Sequence, residues 1–242
     1  MKVSSEFSKY AFSYEVNNSI QNQVVNKLIA SIKTKPKNIL DLGCGSGAVC
    51  KSIDWEYTHF TGVDFAKGML ELHPKAENIE SIYGDFNNQE LFNTLFCSFQ
   101  YDYIISASAL QWATDLDKVF QNIKKLNAPI ALAIFTSNTF KTLNKTAGLN
   151  SILRDVDEVK RLQQKYFNAK FEVVEYKLKF NSTRDMFRYI KESGVSSSRN
   201  ILSFKEMKRL MQKYPLNYLE FEVLFIISKF DNKYNKGYTC KK

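Results

Sequence analysis

Five short apolar runs recur along the first half of the chain: "NILDL" (38–42), "HFTGVD" (59–64), "IESIYGD" (79–85), "YDYIISA" (101–107) and "PIALAIFT" (129–136). Between them lie polar segments with helical spacing, such as "DLDKVFQNIKKL", where Leu116, Val119, Phe120 and Ile123 share one face. Parallel strands need long crossovers, and strand–helix alternation supplies them, so this rhythm predicts a mostly parallel sheet with helices on both faces. Ahead of Pro36, Ile20, Val24, Leu28 and Ile32 recur every four residues with Val25 and Ile29 beside them, the stripe of an amphipathic helix. Two longer runs, "FEVVEYKLKF" and "YLEFEVLFIIS", complete a seven-stranded α/β sheet as an antiparallel pair at one edge. The helices between those two strands are expected to form a lid.

The first strand runs into Gly43, Gly45 and Gly47, so the backbone there approaches something closely. A phosphate loop needs Lys-Ser/Thr after its last glycine, and here Ala48 and Val49 follow. The dinucleotide spacing G-x-G-x-x-G is one residue longer than the one present, and Asp41 just ahead of the turn would repel a pyrophosphate. An acid at that place attracts an ammonium. Asp64 closes the second strand about 17 positions after Gly47, where an open α/β sheet places the acid that bonds ribose hydroxyls. After the third strand, Asp85 in "YGDF" is placed to accept from an adenine amino group, with Phe65, Met69 and Phe86 available to flank the ring. Adenosine carrying an amino acid is S-adenosyl-L-methionine, and the sequence predicts that cofactor, with S-adenosylhomocysteine as product.

Composition limits the alternatives. A chain of 242 residues, 44% hydrophobic, can bury one sizeable core. No run approaches the ~18 apolar residues needed to span a bilayer, and the first residues lack the apolar centre of a signal peptide; the expectation is a cytoplasmic protein without membrane contact. Cys44, Cys50, Cys97 and Cys240 form no CxxC pair, and His59 and His73 are the only histidines, so reduced thiols and no metal are expected. The net charge of +9 is spread without an arginine-rich block, which argues against a nucleic-acid partner and leaves solubility or an acidic protein partner as its purpose.

The segments "LDLGCGSG", "GVDFAKGML" and "YGDF" resemble the donor-binding motifs of Rossmann-type S-adenosylmethionine-dependent methyltransferases. Finer matches in "FSKYAFSYEVNNSIQNQ", "SASALQWATDLDKVF", "FRYIKESGV" and "LEFEVLFIISK" resemble the malonyl-[acyl-carrier protein] O-methyltransferases of biotin synthesis. One departure is "LNAPIA", where that family often has a glycine-containing turn. The resemblance implies one methyltransferase domain over 1–230, with an N-terminal helical cap (1–36), a donor-binding half (37–137), lid helices with the last two strands (138–230), and a flexible tail at 231–242.

Site residues follow from the reading and the resemblance together. For the donor these are Tyr14, Asp41, Gly43, Cys44, Gly45, Asp64, Phe65, Met69, Gly84, Asp85, Phe86, Ser106 and Ala107; for the substrate, Gln111, Trp112, Arg154 and Arg188. No catalytic residue is expected. A malonyl carboxylate is ionised at neutral pH and attacks without a base, so catalysis reduces to alignment and exclusion of water. The implied partner is a malonyl-acyl carrier protein, which is acidic, steered by a lid bearing Lys141, Lys145, Arg188 and Lys191. Two rivals stand beside this reading: a methyltransferase of a free small carboxylic acid, and a donor-binding protein without turnover.

Overall fold

The computed structural model describes residues 18–192 and 204–229. The expectations for Tyr14, the start of the cap, part of the lid and the tail at 231–242 lie outside the described residues, as does the side chain of Lys191. Helix α1 (Ser19–Ser31) precedes an alternating series: β1 (Asn38–Leu42), α2 (Ala48–Ser52), β2 (His59–Asp64), α3 (Lys67–Leu72), β3 (Ile79–Tyr83), α4 (Gln89–Ser98) and β4 (Tyr103–Ala107). A single 3₁₀ turn at Leu110–Trp112 leads into α5 (Leu116–Lys125) and β5 (Ile130–Phe135). The remainder is α6 (Lys141–Ala147), α7 (Val156–Gln164), β6 (Ala169–Lys179), α8 (Thr183–Glu192), α9 (Phe204–Lys213) and β7 (Tyr218–Ser228).

The strands form one sheet in the order β3-β2-β1-β4-β5-β7-β6. The first five are parallel, and β7 inserts antiparallel between β5 and β6. This is the Rossmann-like seven-stranded arrangement that the alternation predicts. Strand parity sorts the core into two layers, because successive side chains leave opposite faces. Leu40, Ile104, Ile130, Leu132 and Ile226 pack with α4, α5 and α7. Ile39, Tyr103, Ile105, Ala133 and Phe225 pack with α1, α2 and α8. The predicted stripe of α1 is the face that descends on this second layer, with Val24 and Leu28 fully buried.

Local signals end the helices where the sequence supplies them. Asp115 accepts from the Lys118 amide (3.0 Å), and Asp155 from the Glu158 amide (2.7 Å), each satisfying a donor that the first turn leaves orphaned. In the turn "LNAPIA", Asn127 takes the left-handed conformation (φ 53°), which asparagine tolerates better than most residues and a glycine would otherwise fill. Beyond β5 the chain is tied to β7: Glu222, buried, accepts from the Thr136 hydroxyl and from Asn138 Nδ2, and Glu220 accepts from the Thr142 amide and hydroxyl. These bonds fix the loop that leaves the carboxyl end of β5.

Candidate functional site

At the carboxyl edge of the sheet, between the ends of β1, β2 and β4, lies a cleft. Asp41, Gly43–Ser46, Asp64, Phe65, Met69, Phe86, Ala107–Ala109 and Trp112 line it, and α1 closes one side with Asn18, Gln21 and Val25. An open α/β sheet binds ligands here because helices start and loops diverge on either side of the strand where the order reverses.

The turn after β1 is shaped by two demands. The Gly43 and Cys44 amides both donate to the Val63 carbonyl (2.8 and 3.0 Å), which folds the loop across the end of β2. At Gly43 (φ 77°) a Cβ would stand 2.2 Å from the Cβ of Ala109, so the β1 and β4 loops touch through the missing side chain. Gly45 (φ 53°) faces open space instead, with nothing within 4 Å of an added Cβ. Its amide donates to Asp64 Oδ2 at 2.9 Å, and the Ala66 amide holds Oδ1 at 2.8 Å. Asp64 is thereby fixed in orientation with lone pairs remaining on both oxygens. Burial is the main cause that raises its pKa, and the backbone donors oppose it.

Asp41 lies on the parity of Ile39 and so faces the α1 layer. It is fully buried, and among the described residues neither carboxylate oxygen has a hydrogen-bond partner. Burial, and then the charge of Asp64, push its carboxyl well above the usual range. A buried, unpaired carboxylate is costly unless a cation meets it. Among the described residues two more buried polar atoms in the same cleft are without partners, Gln21 Oε1 and Ser108 Oγ. Ser108 also holds a left-handed backbone (φ 61°), a strained conformation that a non-glycine residue keeps only where surrounding contacts enforce it. Here the Ser108 amide donates to Ala133 (2.9 Å) while its carbonyl accepts from Gln111 Nε2 (2.6 Å). These orphaned polar atoms beside the apolar surfaces of Phe65, Met69, Phe86 and Trp112 fit an amino acid joined to an adenosine.

Of the residues expected from sequence, Asp41, Gly43, Cys44, Gly45, Asp64, Phe65, Met69, Phe86, Ala107 and Trp112 are brought together along the cleft. The others are placed differently. Asp85 is exposed and not part of the lining; its Oδ1 accepts from the Asn87 amide and side chain, both at 2.8 Å. Gly84 packs beneath, where a Cβ would come within 2.8 Å of Leu91. Ser106 is fully buried and donates to the Leu42 carbonyl (2.6 Å), which ties β4 to the end of β1. Gln111 is buried under its own turn. Arg154 Nη2 donates to the carbonyls of Ala113 (2.9 Å) and Thr114 (3.1 Å), and its Nε faces Glu158 at 3.4 Å, so it braces the loop behind Trp112 rather than lining the cleft. Arg188 is exposed on α8, 3.5 Å from Asp185. Among the described residues no lid helix contributes to the lining.

His73 is buried beneath the glycine turn, near the positions where Cβ atoms on Gly47 and Gly62 would fall. Burial lowers its pKa. His59 stacks on Phe99 at the amino end of β2, across the sheet from the cleft. Cys44, Cys50 and Cys97 form no disulfide among the described residues. Among the described residues no group of three or more His, Cys, Asp or Glu could hold a metal, and no helix is long and apolar enough to cross a membrane.

Gln21, Asn18 and Ser108 were not singled out from sequence. For Gln21 a signal exists: it stands within the apolar stripe of α1, flanked by Ile20, Val24 and Val25, where a polar side chain must have a reason to be buried.

Comparison with known proteins agrees with this geometry. Residues 40–132 match a methyltransferase domain. The malonyl-[acyl-carrier protein] O-methyltransferase of Anoxybacillus flavithermus is 26% identical, covering 88% of this chain and 88% of its own length. That of Neorickettsia risticii is 22% identical over 92% of this chain and 94% of its own. Among solved structures, phosphoethanolamine N-methyltransferase 2 of Haemonchus contortus, in complex with S-adenosyl-L-methionine, superposes with a TM-score of 0.55 at 16% identity, covering 92% of this chain and 57% of that one. The domain match falls on the strands and turns that build the cleft and the curated likeness runs along most of the chain, so the fold is Rossmann-like and the comparisons support S-adenosylmethionine-dependent methyltransferase activity.

Proposed function

We propose that the acceptor is the free carboxylate of a malonyl group carried on an acyl carrier protein, esterified in the step that primes pimeloyl synthesis for biotin. The observation that carries this reading is the lack of a placed base among the described residues, together with the names of the curated relatives. The ionisable side chains lining the cleft are Asp41, Cys44 and Asp64. The two acids serve the donor in this reading, and burial raises the pKa of the Cys44 thiol well above its usual value, which leaves it protonated. His73 lies under the turn and His59 at the far edge. A nucleophile that arrives already ionised fits such a site, and a carboxylate with a pKa near ~4 is ionised at neutral pH.

The bound donor supplies a methyl group on a sulfonium, ready for in-line displacement. Asp41 meets its ammonium, Asp64 accepts from the ribose hydroxyls, and Phe65, Met69 and Phe86 shelter the ring. Trp112 and the turn that Gln111 stabilises face the acceptor, braced from behind by Arg154. What the chain contributes is alignment and the exclusion of water. Exposed Lys141, Lys145 and Arg188 provide a basic surface for an acidic carrier.

The test is methyl transfer from labelled donor to malonyl carrier protein, to a malonyl thioester of a short pantetheine thiol, and to free malonate. Transfer to the carrier protein at the highest kcat/KM supports the reading. Equal or better use of the free acid would replace it with a small-acid methyltransferase, and donor binding without transfer to any acceptor would leave a binding protein. Arg188→Glu should raise KM for the carrier protein and leave the small thioester unaffected, since the residue is exposed and away from the cleft.

A further inference from the structure

Helix α1 presents Asn18, Gln21 and Val25 to the cleft at helical spacing, and Gln21 is the buried polar member of that stripe, 7% exposed. Burying an amide on an otherwise apolar helix face costs free energy when its oxygen has no partner, and Gln21 Oε1 has none among the described residues. A methionine there would keep the length and helix propensity while removing that cost. The amide therefore has a use outside the fold. Its surroundings indicate which use: α1 packs on the sheet layer that Ile39 belongs to, and Asp41 leaves β1 toward the same layer with both oxygens unmet. Asp41 alone answers an ammonium and would repel the carboxylate attached to the same carbon. An amide lining the same cleft offers both a donor for that carboxylate and an acceptor for the ammonium, in either orientation of its oxygen and nitrogen.

We propose that Gln21 is the residue of α1 that reads the amino-acid end of the donor, distinguishing the full sulfonium amino acid and its homocysteine product from adenosine thioethers that lack an amino acid. The proposal rests on the donor reading above and adds a discriminating role to a helix that otherwise only packs.

The experiment is calorimetric titration of the full chain and of Gln21→Met with two ligands, S-adenosylhomocysteine and 5′-methylthioadenosine, which share the adenosine and differ in the amino-acid end. Loss of a hydrogen bond to a charged group predicts a fall in S-adenosylhomocysteine affinity of about tenfold or more, with 5′-methylthioadenosine affinity unchanged. Equal losses for both ligands would overturn the proposal, since Gln21 would then only shape the cleft; no loss for either would overturn it too. If the unaltered chain binds neither ligand, the donor reading itself falls and this inference with it, whereas a normal unaltered chain with an indifferent variant rejects the role of Gln21 alone. Should Gln21→Met not fold, Gln21→Leu takes its place with the same expected split.

Discussion

Replacing Asp41 by asparagine should make the ligand-free protein more stable at neutral pH while stripping it of donor affinity. The carboxylate is fully buried with neither oxygen paired among the described residues, and burial with the nearby Asp64 raises its pKa well above the usual range. In the unfolded chain it ionises near ~3.9. Between that pH and the raised folded value the native state keeps a proton that the unfolded state has lost, so stability falls as pH rises through this window and stays reduced above it. Asparagine keeps the shape without the charge. The asparagine amide is itself unpaired, so what is spared is the burial of a charge, which predicts a gain of ~1–3 kcal/mol at neutral pH, or about 2–4 °C in Tm for each kcal/mol in a chain of this size. Asp64, whose pKa is also raised, leaves a residual slope of the same sign in both proteins. With donor bound the balance reverses, because an ammonium supplies the missing partner; the variant should bind S-adenosylhomocysteine about tenfold more weakly or worse. Thermal unfolding from pH 4 to 8 with and without S-adenosylhomocysteine measures both effects. An asparagine variant that is less stable at neutral pH, keeps the full pH slope, or binds S-adenosylhomocysteine normally would refute the assignment of Asp41 to the ammonium.

The two cleft glycines should differ in their response to alanine. Gly45→Ala meets no atom and should cost only the ~1–2 kcal/mol of a left-handed backbone, whereas Gly43→Ala drives a methyl into Ala109 and should cost clearly more, both read from denaturant midpoints. Arg154→Ala leaves the Ala113 and Thr114 carbonyls without their donor and should lose ~1–3 kcal/mol in the same assay, with S-adenosylhomocysteine affinity less affected than in the Asp41 variant. His73 has its pKa lowered in the fold, so below ~6.5 the unfolded state binds a proton that the native state resists, and stability is lost on acidification; His73→Gln should flatten that slope while the pH dependence of methyl transfer keeps its shape.

The sheet was legible in the sequence because short apolar runs alternate with segments of helical spacing, a rhythm that a parallel sheet with crossover helices accommodates; parity then sorts residues such as Ile104 and Ile105 into opposite layers. The acids at the ends of β1 and β2 were legible because topology dictates where a strand ends. Asp85 was read into the cleft by the same rule, but in the structure the two residues after it close an Asx turn that holds its carboxylate at the surface. Ser108 escaped notice because a left-handed backbone at a non-glycine residue is imposed by its neighbours, not by its own side chain. The bracing role of Arg154 was equally hidden. It depends on two loops, 113–114 and the one before α7, that only the closed sheet brings together.

The strand order also dictates when the molecule can become whole during synthesis. Among the described residues β6 pairs only with β7, and β5 has no partner on that side until β7 arrives, yet β7 follows all the other strands in the chain. While residues 218–228 remain in the ribosome, two long edges stand open, one of them the eleven-residue β6 with Phe171 and Val173 at the surface. Unpaired edges of this kind invite pairing with other chains. A nascent chain halted before residue 218 is thus an aggregation-prone intermediate that already holds every described residue lining the cleft, and β7 joins β6 to the rest of the open sheet by pairing with both neighbours.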